Sequence, residues 1–157
     1  MVDNVAAGFA ADFAARTKPS NYPEPFAGRM SGRVKRPLGD VFGISAFAVN
    51  LTRLVPGAVS ALHHQHSLQD EFIYILEGNP TLITDAGEMK LAPGMVAGFS
   101  ANGTAHHLEN RTQGDCTFLE VGSRIEGDEV SYPFDDIQAV MDDDLKWRFT
   151  HKNGDPY

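Results

Sequence analysis

From residue 41 onward, hydrophobic and polar positions alternate in short runs broken by glycine, proline and aspartate, which is the texture of strands rather than helices. FGISAFAVNLTRLVPG (42–57) reads as one strand closed by Pro56-Gly57, and AVSALHHQH (58–66) as the next. In EFIYILEG (71–78), Glu71, Ile73 and Ile75 face one way and Phe72, Tyr74 and Leu76 the other. Both faces are largely apolar, which predicts a strand buried on both sides. TLITDAGEMKL reads as a hairpin turning at Asp85-Ala86-Gly87, and Pro93-Gly94 marks a further tight turn. GTAHHLENR and CTFLEVGSR are two more strands, joined through Gln113-Gly114-Asp115. About eight short strands at this spacing, with no internal repeat, predict an all-β jelly roll or similar barrel.

The flanks read differently. Phe9 and Phe13 stand four apart with Asn4 as a cap, predicting a short amphipathic helix over 5–16. Pro19, Pro23 and Pro25 then predict an extended arm; the basic residues Arg29, Arg33, Lys35 and Arg36 on it could meet a phosphate, but on an exposed arm they read as solvated. After Gly122 the chain turns acidic. Asp135, Asp136, Asp142, Asp143 and Asp144 lack the ligand spacing and central glycine of a calcium loop and also read as solvated. Tyr132, Phe134, Trp147 and Phe149 predict that this segment folds back onto the barrel, while His151 reads as surface. The expected division is an N-terminal arm over 1–40, a barrel over 41–123 and a C-terminal extension over 124–157.

Composition narrows the function classes. A chain of 157 residues suffices for one domain with a core and no disulfides. Its formal net charge of −8 would repel polyanions, which argues against nucleic acid as a partner. No helix-turn-helix pattern accompanies the strands. Cys116 has no partner for an internal disulfide and reads as a buried thiol, fitting a reducing, cytoplasmic setting. Asp3 and Asp12 interrupt the N-terminal apolar residues and no basic stretch precedes them, so a signal peptide is not expected. No apolar run approaches the roughly 18 to 20 residues of a bilayer span.

Within this frame, four side chains have the types and spacing of a metal site: His64, His66, Glu71 and His106. In a strand, residues two apart share a face, so His64 and His66 project together with Gln65 turned away. An antiparallel return through Ser67–Asp70 would place Glu71 opposite the pair. Imidazoles with one carboxylate suit a divalent Zn, Mn, Fe or Ni ion with positions left open for water or substrate. His107 competes with its neighbour for the fourth place. Strand parity groups His106 with Leu108 and Asn110, and His107 with Glu109.

These residues resemble the motifs of the cupin superfamily. The first motif is matched by His64-Gln65-His66, four residues, Glu71, six residues and Gly78, with Gly57 one residue further upstream than usual. The second is matched by Gly94, His106 and Asn110, with Ser100 in place of a proline and Asn102 where glycine is common. The family's histidine-to-asparagine spacing selects His106. LGDVFG, DEFIYILEG, HHLEN, LEVGSR, YPFDD and HKNGDPY further resemble a group of small bacterial cupins provisionally described as sugar-phosphate isomerases or epimerases. The resemblance implies a double-stranded β-helix barrel that holds a divalent metal through His64, His66, Glu71 and His106. It also implies a small polar metabolite as ligand and, with the apolar Phe9, Phe13 and Phe26 of the arm needing cover, a homodimer. Isomerisation requires a proton-moving base, for which Glu120 and Tyr74 are candidates. Two other readings stay open: an Fe- or Mn-dependent dioxygenase or oxalate-type oxidoreductase, and a barrel that binds a small molecule without converting it.

Overall fold

In a computed structural model that describes residues 6–18 and 20–157, twelve short strands form three antiparallel sheets. The first sheet has five: β1 (Arg33–Pro37), β2 (Phe47–Leu54), β4 (Glu71–Glu77), β7 (Val96–Phe99) and β9 (Cys116–Ser123), in the order β1-β2-β9-β4-β7. In the second, β3 (Gln65–His66) pairs with β10 (Glu129–Ser131), which continues through β11 (Gln138–Met141) to β12 (Trp147–Thr150). The third is β6 (Gly87–Lys90), β5 (Thr81–Thr84) and β8 (His106–Glu109). Isolated bridges Val59↔Glu109 and His64↔His106 connect the segment before β3 to β8. The result is a jelly-roll barrel whose strands do not close into one continuous hydrogen-bonded ring. No helix among the described residues is long and apolar enough to cross a membrane.

Two apolar clusters hold the barrel. One packs Leu54, Ile73, Ile75, Leu91, Leu108 and Phe118 between the first and third sheets. The other packs Met30, Leu62, Val130, Tyr132, Ile137 and Phe26 beneath the second. Burying a side chain such as Phe118 stabilises by about 1.5–3 kcal/mol, so each cluster is a substantial tie. Gly78, the last residue of the first motif, has φ +76, and a Cβ there would stand 2.5 Å from the Asp115 carbonyl oxygen. Only glycine lets β4 leave the sheet at that point.

Several expectations change. The helix expected over 5–16 is a single 3-10 turn, Ala10–Asp12, with Phe9 83% exposed; Val5 and the proposed cap Asn4, like Pro19, lie outside the described residues. Three residues cannot offset the nucleation cost of a helix without a surface to pack on. Phe13 instead meets Phe42 edge to face, and Phe26 is buried in the chain's own second cluster rather than needing a partner's cover. The segment 58–66 is not one strand, because it bridges β8 at His64 and β10 at His66 and so changes sheets within two residues. For the same reason β4 does not return along the histidine pair; Glu71 pairs with Phe99 and Gly122. Nor is β4 buried on both sides: Ile73 and Ile75 face the core, while Phe72, Tyr74 and Leu76 face outward and are exposed. Arg33, Lys35 and Arg36 are not on a solvated arm: they belong to β1, paired residue for residue with β2 from Arg33↔Leu54 to Pro37↔Asn50, while Arg29 sits half-exposed in a 3-10 turn and pairs with Asp135.

Candidate metal centre

The three histidines arrive from different sheets. His66 is the last residue of β3, His64 stands just before that strand, and His106 opens β8 with its backbone bridged to His64. Glu71 opens β4 on the facing sheet. Each ring is fixed through Nδ1: His64 to the Leu62 carbonyl at 2.8 Å, His66 to Asp128 Oδ2 at 2.5 Å, and His106 to the Thr104 carbonyl at 3.3 Å. An Nδ1 facing an acceptor carries the proton, which leaves a lone pair on every Nε2. Those three Nε2 atoms lie 3.3 Å (His64), 3.7 Å (His66) and 2.9 Å (His106) from one atom, Glu71 Oε2. That oxygen is buried, yet none of these contacts is aligned as a hydrogen bond. A divalent cation among them would satisfy the lone pairs and the carboxylate together. Among the described residues, His64, His66 and Glu71 each offer a donor atom within 4.8 Å of the others, so the cluster can hold a metal ion.

Burial alone would raise the Glu71 carboxyl, but the His106, His64 and His66 imidazoles outweigh it and hold it well below its ordinary value. Burial alone would lower His64, but Glu71 reverses the shift and raises it. For His106 burial wins, and its value falls. Phe99 stacks flat on the His106 ring at 3.4 Å between centroids, which locks the ring's orientation.

His106 therefore faces inward, and its neighbour does not. His107 hydrogen-bonds Glu109 through Nε2 and His63 through Nδ1, each at 3.0 Å, on the outer side of β8. The loop ahead of β8 forms despite its unusual residues. Asn102 takes the left-handed conformation (φ 56) that glycine would otherwise supply, and asparagine is among the residues that tolerate it. Its backbone and side-chain nitrogens reach the His66 and Ser67 carbonyls. Asn110, fully buried, ties the Leu54 and Gly114 carbonyls and is structural.

The four side chains border a cavity of about 650 Å³, also lined by Tyr22, Arg33, Lys35 and Glu120. Glu120 faces into it and accepts hydrogen bonds from Thr52 Oγ1 at 2.6 Å and Lys35 Nζ at 2.7 Å. Tyr74 points to the opposite face of β4 and does not border the cavity. Asp128, wholly buried, was indistinguishable in the sequence from its acidic neighbours. Besides His66 it accepts the backbone N–H groups of Leu68 and Gln69 and the Ser67 hydroxyl. These donors outweigh burial and hold its carboxyl below the ordinary range. Arg33 and Lys35 were missed as cavity residues, although their spacing of two in RVKRP is the signal of a shared strand face.

Comparison with known proteins shows the family and the fold. The cupin domain family matches residues 50–122. A sugar phosphate isomerase of the cupin superfamily from Silicibacter pomeroyi has a crystal structure that superposes with a TM-score of 0.87 and 39% identity, covering 94% of this chain and 93% of that one. The chain belongs to the cupin superfamily. A second crystal structure, from Acidithiobacillus ferrooxidans and named provisionally as a sugar phosphate isomerase, matches at 28% identity and a TM-score of 0.71 over 77% of each chain. The polyketide cyclase RemF from Streptomyces resistomycificus (21% identity, TM-score 0.63, 76% of this chain and 79% of that one) shares the fold alone. Among curated proteins none matches. The family match ends at residue 122, so Asp128, which orients a histidine of this cupin's inner cluster, comes from outside the shared domain.

Proposed function

We propose that this cupin binds one divalent metal ion through His64, His66, Glu71 and His106 and interconverts isomers of a small hydroxycarbonyl metabolite, as an isomerase or epimerase of the sugar-phosphate type. One observation carries the reading: three imidazole Nε2 atoms with free lone pairs converge on a buried carboxylate oxygen that makes no hydrogen bond. The similar Silicibacter structure, described as a sugar phosphate isomerase, supports the substrate type. A metal held there supplies Lewis acidity toward neighbouring carbonyl and hydroxyl oxygens.

The chain's own residues do the rest. Glu120 faces the same cavity, and Thr52 and Lys35 fix its orientation, so it is the group we assign to carry a proton between adjacent carbons. Tyr22 and Tyr132 also border the cavity. Burial pushes both phenols up, Tyr132 well up, so each remains a neutral hydrogen-bond donor. Trp147 leans on the His66 ring and shields it from water.

Elemental analysis of the purified protein beside His66→Ala tests the site, with about one metal per chain expected in the wild type and loss in the variant. Incubation with a panel of aldose and ketose phosphates, followed by NMR, should show interconversion that Glu120→Gln slows by at least about a hundredfold. Oxygen consumption during turnover would overturn isomerisation in favour of redox chemistry. A ligand that raises the melting temperature but is never converted would favour simple binding.

We also propose a homodimer through the outer face of β4 and β7. Phe72, Tyr74, Leu76 and Val96 are exposed together there, and β7 is the edge of its sheet. Sedimentation should give twice the chain mass, and Val96→Glu should reduce it to the monomer.

A further inference from the structure

The wall of the cavity away from the histidines is cationic. Five lysine and arginine side chains line the cavity against four carboxylates, one of them Glu71, in a chain whose overall charge is −8. Lys35, Arg124 and Lys146 pair with Glu120, Asp40 and Asp144, so Arg16 and Arg33 leave a small excess of positive charge on this wall of an acidic protein, a field that attracts an anion. Strand β1 supplies the centre of that patch. Arg33 and Lys35 point inward on alternate residues, and the Arg16 backbone N–H bonds the Lys35 carbonyl, bringing a third cation to the same wall.

The patch is tied to the histidines through short links. Arg33 Nη1 donates to the Ser60 carbonyl at 2.5 Å, in the segment that leads to His64. Lys35 reaches Glu120, whose cross-strand partner is Ile73, two residues from Glu71. A metabolite with an oxyanion at one end and a hydroxycarbonyl at the other would set its two ends on the β1 wall and the histidine cluster of one cavity. Burial lowers both Lys35 and Arg33, consistent with cations held away from bulk water. A planar guanidinium beside an ammonium is a common means of gripping phosphate or carboxylate oxygens.

We infer that Arg33, Lys35 and Arg16 form an oxyanion subsite that anchors the phosphate or carboxylate of the substrate on the β1 wall. The inference rests on the proposed reading for the substrate's other end, but the subsite itself does not need the metal. Its cations come from residues ahead of the matched family domain, so it makes the N-terminal segment a determinant of specificity.

The test uses full-length protein stripped of metal by a chelator, titrated at low ionic strength with inorganic phosphate and, separately, malonate. Calorimetry and melting temperature should show one anion per chain, and the tighter of the two probes identifies the substrate's anionic group. Arg33→Gln and Lys35→Gln should each weaken that binding by about tenfold or more, the scale of one charge-assisted hydrogen bond. Arg33→Lys should weaken it less. Glu120→Gln should strengthen it, because the carboxylate no longer competes for Lys35, a gain that a purely structural Lys35–Glu120 tie would not produce. Failure of the wild type to bind either anion would overturn the inference, as would binding undiminished in both Gln variants. Should a Gln variant fail to fold by circular dichroism, the wild-type titration with Arg33→Lys and Glu120→Gln decides. Metal bound without anion binding removes only the subsite; anion binding retained in a protein that takes up no metal removes only the metal reading.

Discussion

Five of the chain's six histidines stand back to back on the same stretches of backbone, three facing the cavity and two facing away. His64, His66 and His106 have every Nδ1 tied to an acceptor and every Nε2 turned toward one carboxylate oxygen. His63 and His107, their immediate neighbours in sequence, have all four ring nitrogens in hydrogen bonds: to each other, to Asp85 and to Glu109. His63 also stacks on Phe134. The two sets have the same residue type, similar burial and nearby carboxylates. They differ in whether lone pairs are consumed locally or left to converge, and convergence is what a metal requires.

The strongest way to break this contrast is to exchange losses between the sets. Glu71→Gln or His106→Ala should abolish stoichiometric metal, a loss larger than the roughly ten- to hundredfold expected for an outer partner. His107→Ala should keep full metal content while costing about 1–3 kcal/mol of stability, since it leaves His63 Nδ1 without its partner. Elemental analysis with thermal melts checks both; metal lost equally from the two sets would erase the distinction.

A smaller effect is expected at Asp128. Asp128→Asn keeps its size but removes the charge that faces His66 Nδ1, and should weaken metal affinity by about ten- to hundredfold. Asp128→Ala adds a stability loss of about 3–5 kcal/mol, because the Leu68 and Gln69 N–H groups lose their acceptor as well. Its folded carboxyl lies below the ordinary 3.8, so the stability it contributes is present above that value and lost as pH falls through the lower folded one. Competition with a chelator and acid unfolding measure the two consequences separately.

Much of this inner set was legible before the fold was known, because strand parity is a local rule. His64 and His66 share a face, and His106 shares one with Asn110, whatever the strands pair with. The pairing itself was not legible. Alternation alone predicts that β4 returns along the histidine pair, whereas the chain changes sheets between His64 and His66, and nothing in ALHHQHSLQD signals that crossing. Asp128 was hidden because acidic residues surround it, and only burial separates it from them. Arg33 and Lys35 have the right alternation, but the prolines ahead of them predict an arm. Long-range pairing with β2 and β9 turned that arm into a wall.

Titration offers the next contrast. Burial alone would lower His64, but Glu71 raises it above the ordinary 6.5. In metal-free protein, protonated His64 therefore stabilises the fold below 6.5, and that contribution is lost as pH rises through the raised value. With metal the direction reverses. The ion must displace the proton, so affinity should fall by about tenfold per pH unit below the raised value and level off above it. A chelator titration across pH 5 to 8 in wild type and His107→Ala should give the same curve, because the outer pair takes no part in it.

The smallest effect concerns what keeps the two sets on their proper faces. Register in β8 is set by the loop ahead of it, where Asn102 is left-handed and its nitrogens hold the His66 and Ser67 carbonyls. A slip of one residue would turn His107 inward and His106 outward. Asn102→Gly supplies the same backbone conformation and loses one side-chain hydrogen bond, so the change should stay near 1 kcal/mol with metal content intact. Asn102→Ala keeps the backbone contact but forces a Cβ into the left-handed region, costing about 1–2 kcal/mol more. If Asn102→Ala retains metal only when His106 is present, the loop sets stability alone. If metal then depends on His107, the loop sets which histidine faces the cavity, and the inward position rather than the residue number defines the site.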